Sequence, residues 1–140
     1  TPEDQIFEIG KALHLNEGSD VTVIATGRLV WGAIQAAEIL ETEDINVDLI
    51  DIHTIKPLDR EAIISSAVKT GRVVCAEEHL IAGGLGEAVA GLLAKEHPVP
   101  MRFVAVNDRF GQSGKPAQLM SAYGLDAAHI VAAVKEITGA

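Results

Sequence analysis

The stretch GRVVCAEEHLIAGGLGEAV, residues 71–89, reads as a buried strand, an acidic turn, a glycine hinge and the start of a helix. Val73 to Ala76 is short and apolar and opens on paired β-branched residues, as suits a strand covered on both faces. Glu77, Glu78 and His79 fall where that strand should end. Gly83, Gly84 and Gly86 let the backbone turn sharply and bring the next helix, Leu85 to Glu96, close to the sheet. In an open α/β sheet, ligands and partners sit at the edge formed by strand C-termini, so this stretch is the first place to look for function.

The glycine turn has two readings, a phosphate cradle at a helix N-terminus or a tight turn that packs a helix. The second is preferred. Gly84-Leu85-Gly86-Glu87-Ala88-Val89 ends in valine where the dinucleotide fingerprint needs glycine, and Glu77, Glu78 and Glu87 repel a phosphate. Further on, Gly111-Gln112-Ser113-Gly114-Lys115-Pro116 echoes a phosphate loop. It lacks two residues between the glycines and has proline in place of the magnesium-holding Ser or Thr. It reads as a turn before a helix, with Arg109 and Lys115 placed to meet an anion or an acidic partner loop.

With 140 residues, the chain is one domain with room for a proper core. Hydrophobic residues make up 48% but aromatic ones only 4%, so that core is aliphatic. A net charge of −9 argues against nucleic acid or an anionic membrane as a main partner. No run of eighteen apolar residues and no signal peptide is present. The single cysteine, Cys75, lies in the predicted buried strand, allows no internal disulfide and fits a reducing compartment. The chain opens Thr1-Pro2-Glu3-Asp4 without an initiator methionine, as expected of a processed chain or a piece of a longer protein.

Around the opening stretch, the pattern alternates. Lys11–Leu15 is predicted as a short strand, antiparallel at a sheet edge because the turn Asn16–Asp20 is tight. Val21–Ala25 is the strongest strand signal. Arg28–Glu41 has helical period, with Leu29, Ala33, Ala36, Ala37 and Leu40 on one face. Asn46–Ile52 is a strand whose alternation puts Val47, Leu49 and Asp51 on one side. Asp59 caps a helix from Arg60 to Lys69, which Thr70-Gly71 closes. Met101–Val106 is the last strand. Pro116 starts a helix to about Ala122, Gly124 stops it, Asp126 caps the next, and Ala127–Thr138 closes the chain. The strand–helix–strand unit is thus expected four times over, which implies parallel strands with helices on both faces. Trp31 is read as a core or interface anchor in preference to a substrate platform, and exposed Trp31 and Gly-Leu-Gly surfaces as ones laid bare by excision from a longer chain.

The histidines His14, His53, His79, His97 and His129 form no local pair at metal-ligand spacing. His79, after two glutamates at a strand end, has the place of a general base. With no nucleophile motif nearby, it reads better as a contact fixing a loop or interface. From its residues alone the sequence describes an α/β domain without a self-sufficient active site.

Several segments together resemble the C-terminal domain of the transketolase family. They are Gly18–Gly27 (GSDVTVIATG), Asp51–Asp59 (DIHTIKPLD), Glu77-Glu78-His79 with Gly83–Val89, and Val106–Pro116 (VNDRFGQSGKP) followed by Tyr123-Gly124-Leu125. The match runs in unbroken order from Phe7 to Ile137, and the lead-in Phe7–Ala12 resembles the split, two-subunit form found in prokaryotes. The same domain occurs in 1-deoxyxylulose-5-phosphate synthase and in the β subunit of 2-oxo-acid dehydrogenases, with which the TIKPLD segment is shared. A free-standing ligand- or partner-binding module using the Glu77–Gly86 edge is the reading from another class.

The resemblance implies a three-layer α/β/α fold with a five-stranded, mostly parallel sheet and one antiparallel edge strand. It implies a lead-in from a preceding domain over residues 1–18 and the C-terminal domain proper over 19–140. It implies a cytoplasmic, dimeric transferase of the pentose phosphate pathway as parent. That parent uses thiamine diphosphate and Mg2+ to move a two-carbon ketol unit between sugar phosphates. The groups that hold cofactor and metal lie in the family's other domains, so no catalytic, cofactor or metal residue is carried over. What carries over is packing against the rest of the parent. The candidate interface and loop residues are Glu77, Glu78, His79, Gly83, Gly84, Gly86, Asp108, Arg109 and Lys115.

Overall fold

The structure is a computed structural model and describes residues 11–52, 58–78, 84–106 and 116–140. Its elements in chain order are β1 (Leu13–Asn16), β2 (Val21–Ala25), α1 (Leu29–Thr42), β3 (Val47–Asp51), α2 (Arg60–Thr70), β4 (Val73–Glu78), α3 (Leu85–Glu96), β5 (Met101–Val106) and α4 (Pro116–Thr138). The five strands form one sheet in the order β1-β3-β2-β4-β5. β1 pairs antiparallel with β3, and the other neighbours are parallel. The expected three-layer sheet with one antiparallel edge strand is what the chain forms.

Alternation along each strand feeds two cores. Val21, Val23 and Ala25 of β2, Val47 and Leu49 of β3, and Val74 and Ala76 of β4 meet α1 and α4 on one face. Ile24, Ile50, Val73 and Cys75 meet α2 and α3 on the other. All five residues of β2 are buried, as a central parallel strand requires. The helix face predicted for α1, Leu29, Ala33, Ala36, Ala37 and Leu40, is buried as a block. Asp59 Oδ1 accepts the Ala62 N–H at 3.2 Å and so caps α2. Its other oxygen accepts the Ala12 N–H at 2.8 Å, which ties the lead-in to the same helix. Gly71 ends α2 in the left-handed conformation, φ 77°. Among the described residues no helix is long and apolar enough to cross a membrane.

Several expectations need correction. Among the described residues strand–helix–strand occurs three times, not four, because α4 follows the last strand and leads to none. The predicted break at Gly124 does not occur: α4 runs unbroken from Pro116 to Thr138. Asp126 is therefore no cap but a fully buried helix residue whose carboxylate accepts from Arg28 Nε at 3.4 Å. Packing explains this. Ala127, Ile130 and Val134 sit wholly in the core beneath α4, and that burial outweighs the roughly 1 kcal/mol a helical glycine costs. Of the places expected for Trp31, the core is removed, since it is 63% exposed, while the Gly-Leu-Gly of the hinge is not bare, since Leu85 and Gly86 are buried.

The α1–α4 contact depends on Gly32, where an added Cβ would lie 2.7 Å from Asp126 Cβ. Gly32→Ala is expected to push the helices apart and to lower stability by about 1–3 kcal/mol in urea denaturation. Gly91, where a Cβ would meet nothing within 4 Å, is the control. There Gly91→Ala is expected to stabilise α3 by roughly 0.5–1 kcal/mol.

Candidate functional site

The C-terminal ends of the parallel strands bring β4, the start of α3 and the turn after β2 together. Successive β4 side chains face opposite ways, so Glu77 points toward α3 and Glu78 toward the turn after β2. Glu77 is 5% exposed. Its carboxylate accepts the Leu85 N–H at 3.0 Å and the Gly86 N–H at 3.3 Å. These are two of the free N–H groups that begin a helix, where the helix dipole also favours negative charge. The anion at this helix start is thus the protein's own side chain, in the place a bound phosphate would take. Gly86 permits the close approach: a Cβ there would lie 3.0 Å from the Phe103 ring and 3.3 Å from Glu77 Oε1. Glu78 lies beside Gly27, whose φ is +60°.

Glu77, Glu78, Gly84 and Gly86 therefore share one edge. His79, Gly83, Asp108, Arg109 and Lys115 lie outside the described residues, as do the other residues of 107–115. Cys75 is buried beneath this edge. Burial, first, and the charge of Glu77 push its thiol up to about 12, so it stays protonated and unreactive.

A second polar cluster carries no sequence motif. Asp48 of β3 is 1% exposed. Its Oδ1 accepts from His14 Nε2 at 2.8 Å, from Lys69 Nζ at 2.7 Å and from the Gly18 N–H at 3.1 Å. Its Oδ2 accepts from Ser66 Oγ at 2.5 Å. Burial alone pushes this carboxyl up, but the bonds from Lys69, Ser66, His14 and Gly18 outweigh it and hold the pKa below the ordinary value. Each hydroxyl has one proton, so Ser66, having donated to Asp48, accepts from Thr22 at 2.7 Å. Thr22 in turn meets Thr70 Oγ1 at 2.7 Å. A groove of about 280 Å³ beside the cluster is lined by Ala12, His14, Ser66 and Lys69 among others. The one signal for the cluster in the sequence is an aspartate inside a strand that parallel neighbours must bury.

Neither cluster has the make-up of a reaction centre. Ser66 is buried and its oxygen is taken by Thr22, so it has no exposed nucleophile to offer. Among the described residues, no three His, Cys, Asp or Glu side chains group to hold a metal. Both clusters fasten elements: Glu77 joins α3 to β4, and Asp48 joins β1 and α2 to β3.

Comparison with known proteins places this architecture. The family described as "Transketolase, C-terminal domain" matches residues 10–130. The 6-deoxy-6-sulfo-D-fructose transketolase subunit SqwH of Clostridium sp. (strain MSTE9) is 46% identical over 136 residues, which are 97% of this chain and 42% of that protein. The 1-deoxy-D-xylulose-5-phosphate synthase of Heliobacterium modesticaldum is 39% identical over 133 residues, 94% of this chain and 21% of that one. A solved structure, "Split gene transketolase, inactive beta4 tetramer", superposes with a TM-score of 0.82 at 46% identity, over 97% of this chain and 45% of its own. The chain thus spans less than half the length of these relatives.

Proposed function

Because the chain belongs to the transketolase C-terminal domain family, we propose that it is the C-terminal part of a transketolase. Its role is structural and dimer-supporting, and the chemistry sits elsewhere in the parent. That parent moves a two-carbon ketol unit between sugar phosphates in the cytoplasm, as in the pentose phosphate pathway. Residues 1–18 are its lead-in from the preceding domain. The observation that carries this is the match over residues 10–130 combined with 46% identity to a transketolase subunit of which the chain covers 42%. Identity to the synthase is lower, so the transketolase reading is preferred.

Thiamine diphosphate, which supplies the carbanion chemistry of such a parent, does not fit the described residues. They form no metal-holding group, and Glu77 already occupies the N-terminus of α3. The partners are accordingly the remaining domains or subunit of the parent and a second parent protomer.

Titration calorimetry of the 140-residue chain with thiamine diphosphate and Mg2+ is expected to give no heat of binding. Saturable one-to-one binding would overturn the accessory reading. The coding DNA upstream of Thr1 supplies a second check, since a start codon there would leave no room for the parent.

A further inference from the structure

β1 is attached to the sheet by other means than the strands beside it. None of its residues is buried, whereas β2 buries all five of its residues and β4 all but its last. Its register with β3 slips between His14 and Asn16, which interrupts the ladder. The groove of about 280 Å³ lies on its α2 side, against Ala62 and Ser65. A second groove of about 200 Å³ lies on its α1 side, lined by Leu15, Ile34, Ala37 and Leu49 among others. Both faces of the strand are thus open to solvent, and lifting it brings little further apolar area into water.

Side chains do the fastening. The Ala12 N–H donates to Asp59 Oδ2 at 2.8 Å. His14 Nε2 and the Gly18 N–H both meet Asp48 Oδ1, at 2.8 and 3.1 Å. Asn16 Nδ2 donates to the Val47 carbonyl at 2.8 Å. Each of the two carboxylates has a second hold, on α2. Asp59 Oδ1 caps Ala62, and Asp48 keeps Ser66 Oγ and Lys69 Nζ. When β1 leaves, neither carboxylate loses its last partner. The penalty for a buried polar group left unpaired, which locks most such contacts shut, does not arise. The chain is pinned again just beyond. The Asp20 N–H donates to the Asn46 carbonyl at 3.0 Å, and the Asn46 N–H donates to Asp20 Oδ2 at 2.7 Å. Ser19 lies between the last fastener and this pin.

We propose that β1 is a releasable strap: Ala12 to Gly18 lifts from β3 as one unit, swinging on Ser19, while the four parallel strands and their helices stay folded. Release lengthens the connection between Lys11 and the body of the domain, so the strap sets the slack with which the lead-in is held. Such a strap goes beyond the accessory role and does not depend on it.

Amide hydrogen exchange of the 140-residue chain tests it. Ala12 and Gly18 report on the strap, each through a different carboxylate. Thr22, whose N–H donates to the Arg72 carbonyl at 2.9 Å from within β2, reports on the sheet. Ala12 and Gly18 are expected to share one protection factor, roughly a hundredfold below that of Thr22. Low urea should barely change it, because little surface opens. Crossing the fasteners shows whether they act together. Asp59→Ser keeps one oxygen to cap α2 and gives up the tie to Ala12. It is expected to speed exchange at Gly18, which Asp59 does not hold, by roughly tenfold. His14→Ala, at a side chain 40% exposed, should speed Ala12 to a similar degree. Thr22 should be unchanged in both variants. Protection of Ala12 and Gly18 equal to that of Thr22 would overturn the strap, as would unequal protection of the two. So would variants that each speed only their own neighbour, or that speed Thr22 to the same extent.

Discussion

Replacing Asp48 with alanine is expected to lower the stability of the chain by about 3–4 kcal/mol, measured by urea denaturation. The carboxylate is buried and takes bonds from the Lys69 ammonium, the His14 ring, a hydroxyl and a backbone N–H. Its removal leaves the buried Ser66 hydroxyl without its acceptor and Lys69 without its counter-charge. Lys69 is 40% exposed and can turn to water, which limits the loss. Asp48→Asn keeps an acceptor in place and is expected to cost roughly half as much. The acid side gives a separate signature. A carboxyl whose folded pKa lies below its unfolded value contributes its full stability above the unfolded pKa. That contribution fades as pH falls through the folded value. The wild type should therefore lose stability steeply below about pH 4, and Asp48→Asn should flatten that part of the curve. An unchanged acid limb in the variant would mean that Asp48 is not the group responsible.

Glu77→Ala is the second large effect, at about 2–3 kcal/mol. The substitution strips the acceptor from the Leu85 and Gly86 N–H groups, and a buried donor left without a partner costs about 1–3 kcal/mol. Loss of the negative charge at the start of α3 adds to this, while relief from burying a carboxylate offsets part of it. Glu77→Gln, which keeps one carbonyl oxygen, should recover roughly half. The local readout is amide hydrogen exchange. Leu85 and Gly86 should exchange faster in Glu77→Ala by more than the global loss of stability explains. Uniform acceleration across the chain would instead assign Glu77 to the core at large and not to this helix start.

The strands and three of the four helices were legible because each carries two independent signals. β2 is a short apolar run bounded by turn residues, and α2 has both its aspartate cap and its closing glycine. The long α4 was misread because Gly124 and Asp126 are local stop signals, and the opposing term, burial of Ala127, Ile130 and Val134 against the sheet, is tertiary. Trp31 was left between core and surface for the converse reason: residue type puts tryptophan inside or at contacts, and only the fold shows which side of α1 it takes. At the candidate site, the meeting of Glu77 with the glycine turn was legible as adjacency along the chain. That the carboxylate itself caps the helix was not, because a cap from a strand end reads like any acidic residue. Asp48 went unnoticed because its side-chain partners come from two other parts of the chain, His14 from β1 and Ser66 and Lys69 from α2, and no spacing rule joins these to β3.

The strand order also bears on how a ribosome-born chain reaches this shape. β1 is made before the other described strands, yet its partner among them is β3, and the contact of His14 with Asp48 spans 34 positions. β2 follows, and it waits for β3 on one flank and for β4, made later still, on the other. Closing such distant pairs costs chain entropy before any of them rewards it. Sheet growth therefore starts only once the middle of the chain has emerged, from β2 outward, and β1 docks onto a sheet that already exists. Within the described residues, the strand made first is among the last to find its place.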